Sequence, residues 1–412
     1  MRSVARILCV LALWPSLATA QKVRFPPPSL RMGEFRADLR ARFHFDFRGL
    51  DSEPEVAPDV FVFRRARIAL EGRIYDDLEY EVDADLRDTE RPWRDVLLNY
   101  RRWEQAEIQG GKFKVPFGRD QLTSVFANSF VSRSLIGAQL APGRDRGVMV
   151  HGRLAKEAIE YQAGWFKRDG DNAAFSEDLD QNEFESPPVD GLLAGRVEVA
   201  PWRQTRGGLR RLQIATNVTS GVVDDGLFGM RGRTVNGFVF FEPVYVSGRR
   251  IRLGIDALWT QGPFSVVAEY NRLTDRRNGQ GLGDVDLPDV IAQGWYLTGT
   301  WVVTGENKAG GVEPRRPIHR GGPGALELAV RVEELRFGSA GGSGEEPFTN
   351  PRAANILTNR DRVITLGGTW FLNTFGRVIF NAVRETIEDP VRSPLADRTR
   401  FWTGVVRLQF VM

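Results

Sequence analysis

Odd positions from Phe35 to Phe47 carry Phe, Ala, Leu, Ala, Phe, Phe and Phe, whereas even positions from Arg36 to Arg48 carry Arg, Asp, Arg, Arg, His, Asp and Arg. The same rhythm returns twice. Ala66, Ile68, Leu70 and Ile74 interleave with Arg65, Arg67, Glu71 and Arg73. Leu78, Tyr80, Val82, Ala84 and Leu86 then interleave with Glu79, Glu81, Asp83, Asp85 and Arg87. Side chains alternate faces in this way only in an extended strand, so each run separates an aqueous phase from an apolar one. No stretch beyond the first twenty residues has eighteen apolar residues in a row, which excludes helical membrane spans. Repeated one-face-charged strands predict an all-β fold, a transmembrane antiparallel β-barrel whose backbone groups satisfy one another around a closed ring. A soluble sandwich would also alternate, but its outward faces are rarely so uniformly charged.

The chain start agrees with export. Arg2 and Arg6 precede the apolar run Ile7 to Leu17, and Ala18-Thr19-Ala20 precedes Gln21. This pattern predicts a signal peptide over residues 1–20, then a periplasmic N-terminal segment over 21–34 and a barrel domain over 35–412. Cys9, the only cysteine, leaves with the signal, so no disulfide or thiol chemistry is expected. The 56 basic groups face 53 acidic ones, and signal removal takes away two arginines and no acid. A chain that near neutrality has no electrostatic case for nucleic acid. Its basic side is nevertheless skewed, with 50 Arg and six Lys. Genome composition accounts for such a bias. So does a need for planar, always-charged donors in fixed positions, and the two readings stay open at this level.

Seventeen segments read as strands, whereas a bacterial single-chain barrel takes an even number. Tight connections at Tyr75–Asp77, Trp103–Gln105, Leu154–Lys156, Gln261–Gly262 and Thr374–Gly376 are expected to be periplasmic turns. Counting strands from both chain ends conflicts only if 234–243 spans the membrane. That segment is therefore assigned to an outer loop, and sixteen strands remain. Two longer periplasmic connections are expected, at 201–208 and 305–324. A ring of sixteen strands leaves an aqueous lumen that the charged faces would line. Aromatics near strand ends, such as Trp165, Trp295, Trp301, Phe371 and Trp402, suit the two interfacial belts.

The runs FVFRRARIALEGRIYDDLEYEVDADLRD (61–88), LLNYRR (97–102), GGKFKVPFGRDQLTS (110–124), SRS (132–134) and PGRDRG (142–147) resemble the phosphate-selective porin O and P family. TQGPFSVVAEY (260–270), LTGTWVVTGE (297–306) and GALELAVR (324–331) continue the resemblance in order. It implies a sixteen-stranded outer-membrane porin, commonly a homotrimer, that passes small anions such as phosphate or polyphosphate along a ladder of arginines. Position by position, it implies Arg64 and Arg65 near the upper pore. It also implies Thr123, Ser124 and Arg133 at a constriction, within a loop over 116–144 that folds into the pore. Guanidinium and hydroxyl donors can replace the hydration of an anion in steps, provided that binding stays weak and multi-site. Arg36, Arg40 and Arg42 on the polar face of the first strand would extend the track. Lys112 and Lys114, two apart on one strand, are expected to share a face next to the narrowest part.

Some cations are already matched. Register across the Tyr75–Asp77 turn places Arg73 opposite Glu79 and Arg67 opposite Asp85, as ion pairs within one wall. Asp76, Asp77 and Glu79 stand where lysines would strengthen phosphate binding, which favours a weakly selective general porin as the alternative. The run Glu79, Glu81, Asp83, Asp85 lacks the loop and glycine of a calcium-binding hand and reads as a solvated wall, so no metal site or cofactor is expected. His44, His151 and His319 are scattered, with no HExxH or GxSxG pattern, and no enzyme is expected. An outer-membrane hydrolase and an adhesin or structural barrel are the rivals from other classes. The expected surroundings are outer-membrane lipid.

Overall fold

The computed structural model describes residues 28–50, 60–89, 91–172, 189–395 and 398–412. The expected signal peptide lies outside them. Sixteen strands form the wall. The first eight are β1 (Phe35–Leu50), β2 (Val60–Ile74), β3 (Leu78–Asp85), β4 (Trp93–Tyr100), β5 (Glu107–Lys114), β6 (Arg144–Leu154), β7 (Ile159–Phe166) and β8 (Val189–Val199). The rest are β9 (Gln213–Gly226), β10 (Val246–Gln261), β11 (Phe264–Arg277), β12 (Leu287–Val302), β13 (Ala325–Ser339), β14 (Asn359–Phe371), β15 (Gly376–Ile387) and β16 (Arg400–Val411). Each pairs antiparallel with the next. β16 returns to β1 from Thr403↔Leu50 to Val411↔Arg42, which closes the ring.

Closure leaves no free edge along the wall, and the residue alternation then sorts itself. On β10, Leu253 and Ile255 are exposed outward, whereas Arg250 and Arg252 are wholly buried inside. The short turns, the start of β1, the end of β16 and the two longer connections over 200–212 and 303–324 lie at one end of the barrel, the periplasmic end, and the other long loops lie at the opposite end. The expected pairs are present: Arg73↔Glu79 and Arg67↔Asp85 stand opposite each other on β2 and β3.

The structure corrects three details. Within the segment 21–34, Ser29–Met32 forms a short strand that pairs with the start of β1, from Ser29↔Asp38 to Met32↔Phe35. Strand β9 begins at Gln213 and not at 209, because the chain from Pro201 to Arg211 runs as consecutive turns around Gly207 and Gly208. Phe371 faces inward beside the Arg377 guanidinium, 5.7 Å from its ring centre, and does not join the outer aromatic belt. The segment 234–243 does lie in a loop. Gly232–Arg233 and Val239–Phe241 form a small ladder of their own there. Phe240 and Phe241 pack on Phe337, in an apolar cluster under the outer loops.

Candidate permeation pathway

After Lys114 the chain leaves the wall and runs through the lumen as residues 115–143 before re-entering as β6. The Val115 amide donates to the Gly143 carbonyl at 2.9 Å and closes the base of this loop. Two short helices shape it, α1 (Arg119–Leu122) and α2 (Leu135–Gln139), the latter capped by the Ser134 hydroxyl, which accepts from the Gly137 amide at 3.1 Å. An irregular segment inside a barrel exposes backbone groups that need partners. The facing wall supplies them. Asp120 and Leu135 amides donate to Glu269 (2.9 Å) and Glu333 (2.6 Å). Arg377 donates to the Phe126 and Asn128 carbonyls at 2.6 and 3.0 Å. Arg331 donates to Ser132 and Arg133 carbonyls at 3.1 and 3.2 Å. Arg119 reaches the other way, at 2.7 Å from both Asp256 and Glu198. Much of the arginine excess is thus structural: it holds the loop across the lumen.

Three cavities follow one another along the β1–β7 side. The outermost, of about 760 Å³, is lined by eleven arginines and one carboxylate, Asp171. The middle one, of about 410 Å³, has six basic side chains against Glu71, Glu81, Asp83 and Asp95. The innermost, of about 450 Å³, has Arg36, Arg40 and Arg73 against four acids. Arg67, Arg133 and Arg144 line both the outer and the middle cavity and so mark the passage between them. Positive surplus falls steadily from the outside inward.

Pairing sharpens the outer cavity. Arg48 and Arg407 share Asp46, Arg67 faces Asp83 and Asp85, Arg94 meets Asp88, and Arg144 meets Asp95. Arg64, Arg65, Arg87 and Arg233 have no carboxylate within 4 Å among the described residues. A bulge explains the first two. Phe63 pairs with Phe45 and His44 with Arg65, so Arg64 is the extra residue on β2. Phe63 and Ala66 hold the outward positions on either side, and two consecutive arginines enter the lumen where alternation allows one.

The residues expected at the site divide as follows. Arg64 and Arg65 line the outer cavity, Arg133 the passage, and Arg42, Lys114 and Ser124 the middle cavity. Arg40 lines the middle and inner cavities, and Arg36 the inner one. Thr123 faces away from this route into a separate cavity of about 620 Å³ near the short-turn end, and its hydroxyl donates to the Arg119 carbonyl at 2.8 Å. Lys112 departs from the expectation. It sits in register with Val96, next to the outward-exposed Val82, and donates to the Trp93 carbonyl at 2.9 Å. Lys114 is the last residue of the strand, where the chain bends inward, and donates to Leu122 and Thr123 carbonyls. Three lining arginines were not singled out from the sequence: Arg87, which continues the polar face read from Glu79 to Asp85, Arg94, the second residue of β4, and Arg233, which lies in the loop ladder with no alternation to place it. Arg144 was in sight within the PGRDRG run.

Carboxylate oxygens of Glu81, Asp83 and Asp95 lie within 4.8 Å of one another, the spacing of a cation site. Arg67 and Arg42 already approach Asp83 at 3.5 and 3.7 Å, and Arg144 meets Asp95 at 2.7 Å. The charge is balanced by the wall itself.

The sequence profile of the family described as phosphate-selective porin O and P matches residues 37–411. The chain belongs to this family. The porin is 24% identical to Porin O of Pseudomonas aeruginosa over 379 residues, 82% of this chain and 80% of that one. Its fold is shared with OmpT, an outer-membrane protein of Vibrio cholerae (TM-score 0.57, 12% identity, 93% of this chain and 99% of that one). An anion-selective porin from Comamonas acidovorans superposes with a TM-score of 0.55 at 11% identity, over 92% and 100% of the two chains. The porin is therefore an outer-membrane channel for passive diffusion of small hydrophilic solutes, and the stacked cavities are its lumen.

Proposed function

We propose that this channel prefers anions, and that phosphate-like anions are its permeants. The observation that carries the reading is the outer cavity, with eleven arginines against one carboxylate and four of those arginines free of acidic partners among the described residues. An anion entering there exchanges hydration for guanidinium donors at Arg64 and Arg65. It passes Arg133 and then meets Arg42, Lys114 and Ser124, followed by Arg40 and Arg36. Paired wall charges in the lower cavities keep each hold weak, as conduction requires. The family's description as phosphate-selective and the name of the anion-selective porin are consistent with this chemistry.

Assembly as a homotrimer is part of the proposal; the fold is shared with a trimer form of Vibrio cholerae OmpT (TM-score 0.54, 10% identity). We read the protein as a channel without enzymatic activity: the His44 ring packs at a tilt against Phe126 and His151 pairs with Asn99 at 3.1 Å. A weakly selective general porin is the second reading, favoured by the acid-rich inner cavity. Reversal potentials across planar bilayers in a KCl gradient separate the two. A potential of anion sign supports the proposal and a cation-selective one removes it. Saturable block of chloride current by phosphate would identify the site; unsaturating additive currents would leave a general porin.

A further inference from the structure

The lipid-facing surface is not apolar all the way to the loops. Above an outward row of Leu297, Val332, Ile364 and Leu366, strands β11 and β13–β16 carry Arg272, Arg336, Arg360, Arg362, Arg384 and Arg400. Alternation assigns them to the outer face, because their neighbours Leu273, Leu335, Asp361, Glu385 and Phe401 are buried inside. Among the described residues, two acids come within 4 Å of these six arginines. Glu334 holds Arg362 at 2.5 Å, and Glu388 holds Arg360 at 3.1 Å. Arg336 and Arg400 are exposed, with no carboxylate within 4 Å among the described residues.

Two features give this patch a ligand-binding character. Arg336 and Arg360 are directly opposite each other across β13 and β14. Like charges in that position repel. Arg360 is offset by Glu388 at 3.1 Å and Glu334 at 4.0 Å, so the charge left for an outside anion is that of Arg336, which has no carboxylate within 4 Å among the described residues. Arg384 and Arg400 are diagonal neighbours across β15 and β16, with the Arg384 guanidinium 6.0 Å from the Trp402 ring centre. Trp402 and Trp295 are exposed outward, and such rings settle at headgroup level. The arginines therefore lie in the outer headgroup layer, directly above surface suited to acyl chains. The far side of the barrel differs: at the same end β2, β8 and β9 present Phe61, Phe63, Leu193 and Val222.

We propose that this sector binds the phosphate-bearing headgroup of an outer-leaflet glycolipid. Arg336 and Arg360 share one phosphate, Arg384 and Arg400 take a second, and the acyl chains lie against Val332, Ile364 and Leu366. Guanidinium forks match phosphate oxygens two at a time, which a tightly hydrated ammonium does not. The assignment does not depend on which solute crosses the pore.

The test is lipid retention by the purified barrel, read by native mass spectrometry. The probe is a bisphosphorylated disaccharide glycolipid, compared with the same lipid after phosphate removal. The parent should retain the phosphorylated form and lose the dephosphorylated one. The double variant Arg336→Gln/Arg360→Gln should bind roughly thirtyfold more weakly, each cation beside an anionic headgroup contributing about a factor of five. Arg206→Gln, at the opposite rim, should bind as the parent does. Folded gel migration and unchanged single-channel conductance confirm that the double variant still forms a barrel. Equal retention of the two lipids, or full retention by the double variant, would overturn the proposal. So would a double variant that dissociates an oligomer while binding lipid normally, since the sector would then be a contact between subunits.

Discussion

Arg407 and Asp46 lie 361 positions apart and face each other across the seam where β16 meets β1, joined by two parallel hydrogen bonds of 2.6 and 2.7 Å. The remaining guanidinium nitrogen donates to the Val131 carbonyl in the constriction loop at 2.8 Å. One side chain thus closes the ring and anchors the loop. Arg407→Gln should lower barrel stability by about 3–5 kcal/mol, because it leaves the buried Asp46 carboxylate with Arg48 alone. Thermal unfolding followed by loss of the folded gel band reads this directly. An unchanged midpoint would mean that the seam does not depend on the pair.

Arg65 and Arg67 differ by two positions and line the same cavity, yet their substitution should have unequal effects on selectivity. Arg65→Gln removes a cation with no carboxylate within 4 Å among the described residues. Arg67→Gln strips Asp83 and Asp85 of a partner, and buried carboxylates deprived of a cation tend to take up protons and neutralise. Reversal potentials should therefore shift further toward zero for Arg65→Gln. Equal shifts would show that pairing in the wall does not govern the lumenal field.

Arg377 donates to two loop carbonyls and to Gln409 but to no carboxylate among the described residues. Arg377→Met should leave the wall intact and loosen the loop, since each buried carbonyl that loses its donor costs about 1–3 kcal/mol. Single-channel recordings should show larger open-state current fluctuations than the parent. A quiet channel with parental conductance would assign the loop's rigidity to its other contacts.

Asp169, in the outer loop after β7, meets Arg250 and Arg252 at 2.7 and 2.5 Å. Burial pushes its carboxyl upward, but the two guanidinium groups prevail and hold it below the ordinary range. A depressed folded value stabilises the loop above the unfolded carboxyl pKa of about 4, and that support disappears as pH falls through the folded value. Protease cleavage of this loop should accelerate in strong acid for the parent. Asp169→Asn should cleave faster already at neutral pH and show little further acid dependence. A variant that keeps the parental acid response would place the titrating group elsewhere.

Much of this was readable in the chain. Arg67↔Asp85 and Arg73↔Glu79 followed from a three-residue turn, because a tight hairpin leaves one register. The loop assignment of 234–243 followed from strand parity. Lys112 and Lys114 show the limit. Equal spacing predicts equal faces only while the strand continues, and β5 ends at Lys114. Arg64 and Arg65 show another, since a bulge changes the phase of alternation without any residue that must announce it.

The sequence by itself determined the kind of surface each strand presents, since side-chain alternation is local and one charged face per strand needs water on that side. It also determined that a closed ring was required, because lipid offers no partner to a free edge. Which arginines remain available to an anion was decided only by tertiary structure. A guanidinium is neutralised by whatever stands within about 4 Å, and for Arg407, Arg119 and Arg250 those partners arrive from distant strands and from loops crossing the lumen. Arg64 and Arg65 stay uncompensated because a bulge turns them inward where no described carboxylate reaches.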